Sequence, residues 1–214
     1  MRRRLSDTAA RMFLERGFDA VRVVDVAEEC GVSDKTVFNY FPTKEALLLD
    51  RLETTSEALA EHLASPDRTP LEATVGILAD ELASTAAGFS GEDVEAAIAD
   101  YRRFGEMIAS TPALRIHTSA MLERFVLVAA DALARRAGVP PDDPELLIAA
   151  AALVGLWRVQ FNSLRRHLAG ADDVDGLVRA VTADVERAAQ LLERGLGDWW
   201  PNLPDAEPAT SSPS

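Results

Sequence analysis

A short stretch near the start of the chain concentrates polar side chains of the types that recognise DNA. It lies between Gly31 and Lys44 and contains hydroxyl, amide, ammonium and phenol groups. Such groups hydrogen-bond to base edges and to phosphate oxygens without any covalent step. The candidate contacts are Ser33, Lys35, Thr36, Asn39, Tyr40, Thr43 and Lys44. This set predicts a DNA-binding surface.

Three of these side chains suit the edges of bases. Lys35 can donate to guanine, Thr36 can contact a thymine methyl group or a phosphate, and Asn39 can pair with adenine. Asp34 lies among them and would repel DNA, but a carboxylate suits the N-terminus of a helix, so we expect it to be mostly structural. The alternative for each residue is an ordinary solvated surface position.

The remaining candidates suit the phosphate backbone. Tyr40 and the ammonium group of Lys44 can both donate to phosphate oxygens. Thr43 opens a further helix, whose N-terminal N–H groups also attract anions. The sequence therefore predicts anchoring contacts at one end of the stretch and base contacts at the other.

Two short helices joined by a tight turn must position these side chains. The first is predicted over Val23–Cys30 and ends at Gly31, because a left-handed residue there costs least as glycine. Ser33 is a natural N-cap for the second helix, predicted over Asp34–Phe41 and stopped by Pro42. Together they form a helix-turn-helix, the motif whose second helix enters the major groove.

A small apolar core supports this motif. Its first part is one face of a helix predicted over Leu5–Arg16, where apolar residues recur every four positions. The residues that we expect to point inward are Leu5, Ala9, Phe13, Val37, Phe38 and Phe41.

The segment from Thr8 to Leu48 resembles the DNA-binding domain of the tetracycline-repressor (TetR) family of bacterial regulators. The matching positions are Ala10, Phe13, Gly17–Phe18, Val26–Ala27, Gly31–Val32–Ser33, Thr36, Tyr40–Phe41–Pro42, Lys44–Glu45 and Leu47. The resemblance implies DNA contacts by Tyr40 and Lys44. It also implies an all-α fold, with a three-helix DNA-binding domain and a six-helix ligand-binding and dimerisation domain.

The chain departs from the usual pattern of this family at three positions. Arg22 replaces a threonine at the head of the second helix, which removes an N-cap worth about 1 kcal/mol and adds a cation that can meet a phosphate. Lys35 replaces a frequent glycine. Phe38 replaces a frequent tyrosine and is expected to keep the packing while losing the hydroxyl. These changes concern the operator sequence rather than the binding itself.

The net charge of −13 argues at first against nucleic acid. The charge is unevenly distributed, however. Residues 1–50 hold eight Lys/Arg and nine Asp/Glu, a net of −1, so the other 164 residues carry −12. Arg2, Arg3 and Arg4 lead the chain, either as an arm that reaches DNA or as a solubilising terminus.

The rest of the chain is helical in rhythm. Domains are predicted over residues 1–48 (DNA binding) and 49–197 (ligand binding and dimerisation), followed by a disordered tail, 198–214. We expect helices over Thr43–Ala64, Pro70–Gly88, Gly91–Ala109, Pro112–Gly138, Pro144–Ala169 and Val174–Leu196.

Cysteine, histidine and hydropathy patterns exclude several classes of protein. The single cysteine, Cys30, rules out an internal disulfide framework and is expected to be a small buried apolar residue rather than a redox switch. The three histidines do not cluster at metal-ligand spacing, so no metal site is expected. No signal peptide is visible, and the longest apolar run, Leu146–Trp157, is twelve residues and too short to span a bilayer. We expect a cytoplasmic protein.

The last two helices are predicted to form a homodimer, over about residues 144–196. Leu146–Trp157 is apolar on nearly every side, more than a single core face requires. Ala149–Ala152 and Gly155 would allow close approach of a partner helix. A stripe also runs along the last helix, at Leu177, Val181, Val185, Ala188 and Leu192. Two such helices from each protomer would make a four-helix bundle; the alternative is that both helices cover the core of the monomer.

The resemblance further implies an effector cavity among the body helices. Candidate lining residues are Phe104, Met107, Ile108, His117, Met121, Phe125, Trp157 and Phe161. Methionine and aromatic stripes at helical spacing are more often plain core, which remains the alternative. Arg102, Arg103 and Asn162 are candidates for a polar contact.

The sequence thus predicts a homodimeric, ligand-responsive transcriptional regulator, a repressor rather than an activator, that binds a palindromic operator and is released by a small-molecule effector. The alternative is a helical ligand-binding or protein-interaction module that no longer binds DNA, an idea motivated by the acidic net charge. No catalytic constellation, phosphate-binding loop or dinucleotide fingerprint appears, so neither an enzyme nor a cofactor is expected.

Overall fold

The all-α fold is confirmed in a computed structural model, which describes residues 1–49, 51–89, 94–168 and 173–196. These residues form ten helices and no strand. The helices are α1 (Arg2–Arg16), α2 (Val23–Glu29), α3 (Asp34–Tyr40), α4 (Lys44–Leu48), α5 (Arg51–Ala64), α6 (Pro70–Ala87), α7 (Val94–Ser110), α8 (Pro112–Ala137), α9 (Pro144–His167) and α10 (Val174–Leu196).

The prediction of one long helix over Thr43–Ala64 is wrong. Helix α4 ends at Leu48, and Leu49 leaves the helical region with φ −108° and ψ 25° before α5 begins at Arg51. Leu47 and Leu48 are buried in a core against which Leu49 also packs. Three consecutive residues of an α-helix span roughly 200° around its axis. The break at Leu49 therefore lets three successive leucines contact the same core.

Most other predicted helix ends agree with the structure to within a few residues, because local caps fix them. Thr69 caps α6 by accepting from the Glu72 N–H at 3.2 Å, and Glu72 in return accepts from the Thr69 N–H at 2.9 Å. Asp143 caps α9 just before Pro144. The predicted start of α7 at Gly91 and the predicted disordered tail from residue 198 lie outside the described residues.

The chain divides into two compact units. The first unit consists of residues 1–53 and 93–121, and the second of residues 54–92 and 122–214. The first unit therefore includes α7 and the first residues of α8 as well as the helix-turn-helix. The functional division into residues 1–48 and 49–197 stays a prediction.

The core of the first unit holds the helix-turn-helix on α1. Phe13 is 1 % exposed, and its ring lies 5.0 Å from that of Phe18. Two polar contacts fix α1 at its neighbours: Arg4 donates to the Cys30 carbonyl at 2.7 Å, and Ser6 donates to the Leu47 carbonyl at 3.0 Å. Cys30 itself is buried, as predicted for a small apolar residue.

The second unit is centred on Trp157 of α9. This side chain is completely buried, and its ring meets that of Phe125 edge-on at 5.8 Å. Its indole N–H donates to a carboxylate oxygen of Glu81 in α6 at 2.9 Å, and the Thr55 hydroxyl of α5 donates to the other oxygen. One carboxylate therefore links three helices inside an otherwise apolar core.

Helix α9 has 24 residues, and by length and composition alone it could cross a membrane. Its 18-residue window has a mean hydropathy of 1.4, and half of that window is buried inside the protein. The helix packs against α6 and α10. These contacts account for its apolar character as a core helix of the second unit. The helix is twice as long as the uninterrupted apolar run of twelve residues in the sequence.

A buried carboxylate joins α9 to α10. Asp184 of α10 is 9 % exposed and accepts from the Ser163 hydroxyl at 2.6 Å. Its oxygens also contact His167 Nε2 at 3.1 Å and the guanidinium groups of Arg166 and Arg187. The Ser163 hydrogen bond is the main cause that lowers the pKa of Asp184 from its ordinary 3.8 to about 2; the contacts with His167 and Arg187 act in the same direction, and burial opposes them.

We expect the stability of the second unit to fall as the pH drops from about 4 to about 2. The folded pKa of Asp184 is below its unfolded value, so this carboxylate contributes stability above pH 3.8 and loses it as it is protonated near pH 2. Urea denaturation at a series of pH values measures the effect. Asp184→Asn should flatten the curve in this window, whereas Asp80→Asn, at an exposed position of α6, should leave it unchanged. An unchanged curve in Asp184→Asn would contradict the assignment.

Candidate nucleic-acid interface

The recognition helix α3 is fixed at its N-terminus by a turn and a cap. Gly31 has φ +65°, the left-handed conformation predicted for it. The Ser33 hydroxyl accepts from the Thr36 N–H at 3.1 Å and lies 2.9 Å from the Thr36 hydroxyl. Val37 is completely buried and anchors the helix on the core. Ser33 and Thr36 are therefore hydrogen-bonded to each other at the start of α3.

The outward face of α3 carries the predicted base contacts and one aromatic ring that the sequence analysis placed inside. Lys35 and Asn39 are exposed, and Tyr40 is 38 % exposed. Val37 and Phe41 point inward as predicted, but Phe38 is 49 % exposed, so the prediction of an inward Phe38 is wrong. Residues four apart share a helix face, whereas Phe38 lies roughly 100° from Val37. This angle alone does not decide burial, because the neighbours Leu47 and Leu48 of α4 are both buried.

Phe38→Ala should weaken DNA binding without unfolding the protein. A half-exposed side chain contributes little to the core, so the free energy of unfolding should change by less than about 0.5 kcal/mol. A lost apolar contact with a thymine methyl group should cost at least about fivefold in affinity. Thermal denaturation and fluorescence anisotropy with operator DNA measure the two effects. Val37→Ala is the matched control, and its main effect should be a lower free energy of unfolding, because Val37 is completely buried. Equal operator affinity for Phe38→Ala and the wild type would show that Phe38 does not contact DNA.

The start of α4 adds a second group of predicted contacts. Thr43 caps this helix, its hydroxyl accepting from the Ala46 N–H at 3.2 Å. The ammonium group of Lys44 lies 4.2 Å from the centroid of the Phe18 ring and 5.6 Å from that of Phe13. Burial lowers the pKa of Lys44 from its ordinary 10.5. The charged end of Lys44 thus packs on the aromatic rings of the first unit.

Both lysines of the chain are among the predicted DNA contacts. They are Lys35 on α3 and Lys44 on α4, and every other permanently cationic side chain is an arginine. A lysine presents a compact, strongly hydrated charge on a flexible stem, whereas an arginine presents a rigid planar fork.

Arg22 has a partner that the sequence analysis missed. Its guanidinium donates to the Asp25 carboxylate at 2.8 Å, and that carboxylate also accepts from the Arg22 backbone N–H at 2.8 Å. The Arg22 contacts lower the pKa of Asp25, and the Asp25 contacts raise the pKa of Arg22. The Arg22 side chain has no acceptor and makes no cap hydrogen bond to α2, as predicted, while Asp25 accepts from the backbone N–H of this N-cap residue.

The three arginines at the start of the chain lie in α1 rather than in an extended arm. The Arg2 guanidinium lies 4.9 Å from the centroid of the Phe41 ring, at the end of the recognition helix. Arg3 pairs with Asp7 at 3.7 Å, and Arg4 donates to the carbonyl at the end of α2. Arg2 and Arg4 therefore contact the helix-turn-helix from the first turn of α1.

Two family models match the chain, and together they cover most of it. One is described as "Bacterial regulatory proteins, tetR family" and matches residues 5–50. The other is described as "MftR C-terminal domain" and matches residues 78–197, more than half of the chain. The chain belongs to the TetR family of bacterial regulatory proteins. Regulators of this family bind DNA and respond to ligands, in agreement with the surface on α3 and α4.

Curated TetR-type relatives match parts of the chain. MftR of Mycobacterium tuberculosis, assigned to the regulation of mycofactocin biosynthesis, is 28 % identical over 134 residues, 63 % of this chain and 64 % of MftR. The helix-turn-helix regulator YuxN of Bacillus subtilis is 41 % identical over 46 residues, 22 % of this chain and 16 % of YuxN. The chain therefore spans less than two thirds of the length of these relatives.

Solved structures share the TetR fold over most or all of the chain. The FadR repressor of Thermus thermophilus, in complex with lauroyl-CoA, has 23 % identity and a TM-score of 0.51, with 100 % of this chain and 98 % of that chain covered. NalD, the secondary repressor of the MexAB-OprM multidrug efflux pump in Pseudomonas aeruginosa, has 22 % identity and a TM-score of 0.50, with 87 % and 95 % covered. At this identity the likeness shows the fold.

The predicted effector residues of this TetR-family chain are divided between its two units. Three of them are partly buried and pack against the core of the first unit: Phe104, Met107 and Ile108. The first unit also contains His117 and the buried Met121. Phe125 and Trp157 are in contact inside the second unit, whereas Phe161 is 37 % exposed. The structure thus brings Phe125 and Trp157 together and gives the first three residues a role in the core. The effector role of the set stays a prediction.

Proposed function

We propose that this protein is a homodimeric TetR-family repressor that binds a palindromic operator through α3 and releases it when a small-molecule effector binds. The outward face of α3 carries the proposal. It presents Lys35, Phe38, Asn39 and Tyr40 to solvent on a helix whose opposite side, at Val37, is completely buried. A polar and aromatic face on a firmly seated helix of this type suits the major groove.

Two copies of the recognition helix are needed for a strong site. Helix α3 has seven residues and is therefore only about 10 Å long. Two such helices, placed about 34 Å apart by a two-fold axis, contact successive major grooves on one side of the duplex. The operator should accordingly be a palindrome.

The outward side of α9 and α10 is our proposed dimer surface, instead of the stripe on α10 that the sequence suggested. Leu177, Val181 and Val185 of that stripe are buried within the protomer, so the alternative of covering its own core applies to them. Ile148 and Leu191, by contrast, are 67 % and 68 % exposed. Ile116 and Leu127 of α8 are exposed to a similar degree, so our choice of α9 and α10 also rests on the role that the family resemblance implies for the last two helices.

The effector would act by shifting the population of dimer conformations. The dimer has one conformation whose recognition helices match the spacing of the major grooves and one whose helices do not. A ligand that prefers the second conformation lowers operator affinity, by at most the ratio of its affinities for the two conformations. Lauroyl-CoA, which the Thermus relative binds, is a first compound for an effector screen. We propose a role in regulation rather than catalysis, and a location in the cytoplasm, where the operator is.

Fluorescence anisotropy with the DNA upstream of the protein's own gene tests operator binding. We expect specific binding at low salt that weakens steeply as salt is added, because phosphate contacts release counterions and the bulk of the chain is acidic. Sedimentation of the free protein tests the dimer separately. A dimer that showed no preference for any upstream DNA at low salt would favour the alternative of a helical module that does not bind DNA.

A further inference from the structure

A cleft of about 270 Å³ lies between α9 and α10, on residues that no DNA contact uses. Three arginines and an asparagine line it, against a single carboxylate. The lining residues are Arg158, Val159, Asn162, Ser163, Arg166, Asp184 and Arg187. We call this feature the arginine cleft. Its cationic lining is unexpected in a chain of net charge −13.

The one carboxylate of the arginine cleft is already occupied by donors from the protein. Asp184 is 9 % exposed, accepts from Ser163 at 2.6 Å, and contacts Arg166 and Arg187. Its charge offsets one of the three guanidinium charges of the cleft, and its contacts orient Arg166 and Arg187. The Arg166 and Arg187 side chains stay 67 % and 69 % exposed, and each guanidinium has five N–H donors, most of which remain available.

Arg158 strengthens the cationic character of the cleft. It is exposed and forms no ion pair with any residue that the structure describes. Exposed arginines elsewhere either meet an acidic neighbour, as Arg135 meets Asp131, or have no ion pair among the described residues, as Arg179 of α10. A solvated surface arginine is the ordinary explanation for one such residue. Three of them around a concave site, two held by a buried aspartate, form a preorganised set of donors.

We propose that the arginine cleft binds a small tetrahedral oxyanion, a phosphate or the phosphoryl group of a larger molecule. Guanidinium forks match the oxygens of a phosphoryl group, and the Asn162 amide adds a neutral donor. The cleft of about 270 Å³ is close to the lower end of the range for small-molecule pockets, roughly 300–1,000 Å³, so it has room for a phosphoryl group and part of the molecule that carries it. All of its residues belong to one protomer. Arg166 follows Ile148 by about five turns of α9 and lies on the same face of that helix, so the cleft borders the proposed dimer surface.

Titration of the full-length protein with inorganic phosphate, against chloride at equal ionic strength, tests the proposal. Calorimetry should show saturable phosphate binding, and phosphate should raise the melting temperature more than chloride. Arg158→Gln should weaken the binding at least about tenfold, because it removes a charged donor. Since Arg158 has no ion pair to lose, this variant should keep the wild-type stability in chloride.

The matched control is Arg179→Gln, at an exposed arginine of α10 outside the cleft. It should bind phosphate as the wild type does. Equal losses in the two variants, or phosphate binding that Arg158→Gln leaves intact, would place the anion elsewhere, for example on the DNA-binding surface, and would overturn the proposal. A wild type without phosphate-specific binding would do the same.

A second titration, with ADP, identifies the source of the anion. Binding of ADP at least about tenfold tighter than phosphate, and lost in Arg158→Gln, would assign the cleft to phosphorylated small molecules; equal affinities would assign it to the free anion. Operator binding is measured without either ligand, so a failure of the anion site and a failure of the proposed repressor function are distinguishable.

Discussion

Replacing Tyr40 and Lys44 together by alanine will lower operator affinity at least about a hundredfold for each half-site at low salt. The estimate combines the loss of a charged hydrogen bond, worth about 1.5–3 kcal/mol, with the loss of a neutral one, worth about 1 kcal/mol. Lys44 has a second role, because its ammonium group lies 4.2 Å from the centroid of the Phe18 ring. The variant should therefore also lose up to about 1 kcal/mol of stability.

The salt dependence of binding separates contact from folding in this experiment. Each lost phosphate contact should reduce the slope of log affinity against log salt by about one, so a dimer without Lys44 should lose about two. Fluorescence anisotropy over a salt series gives this slope, and circular dichroism confirms that the variant is folded. Lys44→Arg keeps the charge and should restore most of the slope. If the double variant kept the wild-type slope, Lys44 would not contact phosphate.

Trp157→Ala is expected to be the most destabilising single change in the second unit. Trp157 is completely buried, and truncation of a buried tryptophan costs about 3–5 kcal/mol through lost contacts and the cavity left behind. The change also removes the indole N–H that donates to Glu81 at 2.9 Å. Phe125 loses its edge-on ring partner at the same time. Urea denaturation followed by far-ultraviolet circular dichroism measures the loss.

Trp157→Phe distinguishes packing from hydrogen bonding at this position. It keeps an aromatic ring against Phe125 but removes the donor to Glu81, so it should cost about 1.5–3 kcal/mol, less than the alanine variant. Trp157→Phe combined with Glu81→Gln should recover part of that loss, because a neutral amide needs a donor less than a carboxylate does. Equal losses for Trp157→Phe and Trp157→Ala would contradict the importance of packing.

The helix-turn-helix was predictable because its determinants are local. A left-handed glycine, a serine cap and a proline fix the ends of α3, and each acts within a few residues of itself. Phe38 is predicted to point inward with Val37 and Phe41, but it is 49 % exposed, because the packing of α3 on the core, which the sequence does not give, buries Val37 and Phe41 instead. The break at Leu49 was not predicted, because three successive leucines are compatible with a continuous helix. The break follows only from the packing, in which all three leucines contact one core.

The features of the second unit were less predictable because they depend on how helices pack. The stripe at Leu177, Val181 and Val185 was visible in the sequence, but the pattern does not say whether its partner is the same chain or another copy. Arg158, Asn162 and Arg166 recur every four residues, which places them on one face of α9. Only the register of α10 against α9 adds Arg187 and the buried Asp184 to that face.

The positions of the two lysines, one on α3 and one at the start of α4, have a spectroscopic consequence. Reductive methylation with a carbon-13 label modifies lysine ammonium groups and the α-amino group, so the side-chain signals of this protein come from Lys35 and Lys44. The ammonium group of Lys44 lies above the Phe18 ring, whose ring current displaces its resonance upfield from that of the exposed Lys35. Two resolved nuclear magnetic resonance signals would thus report separately on the recognition helix and on the start of α4.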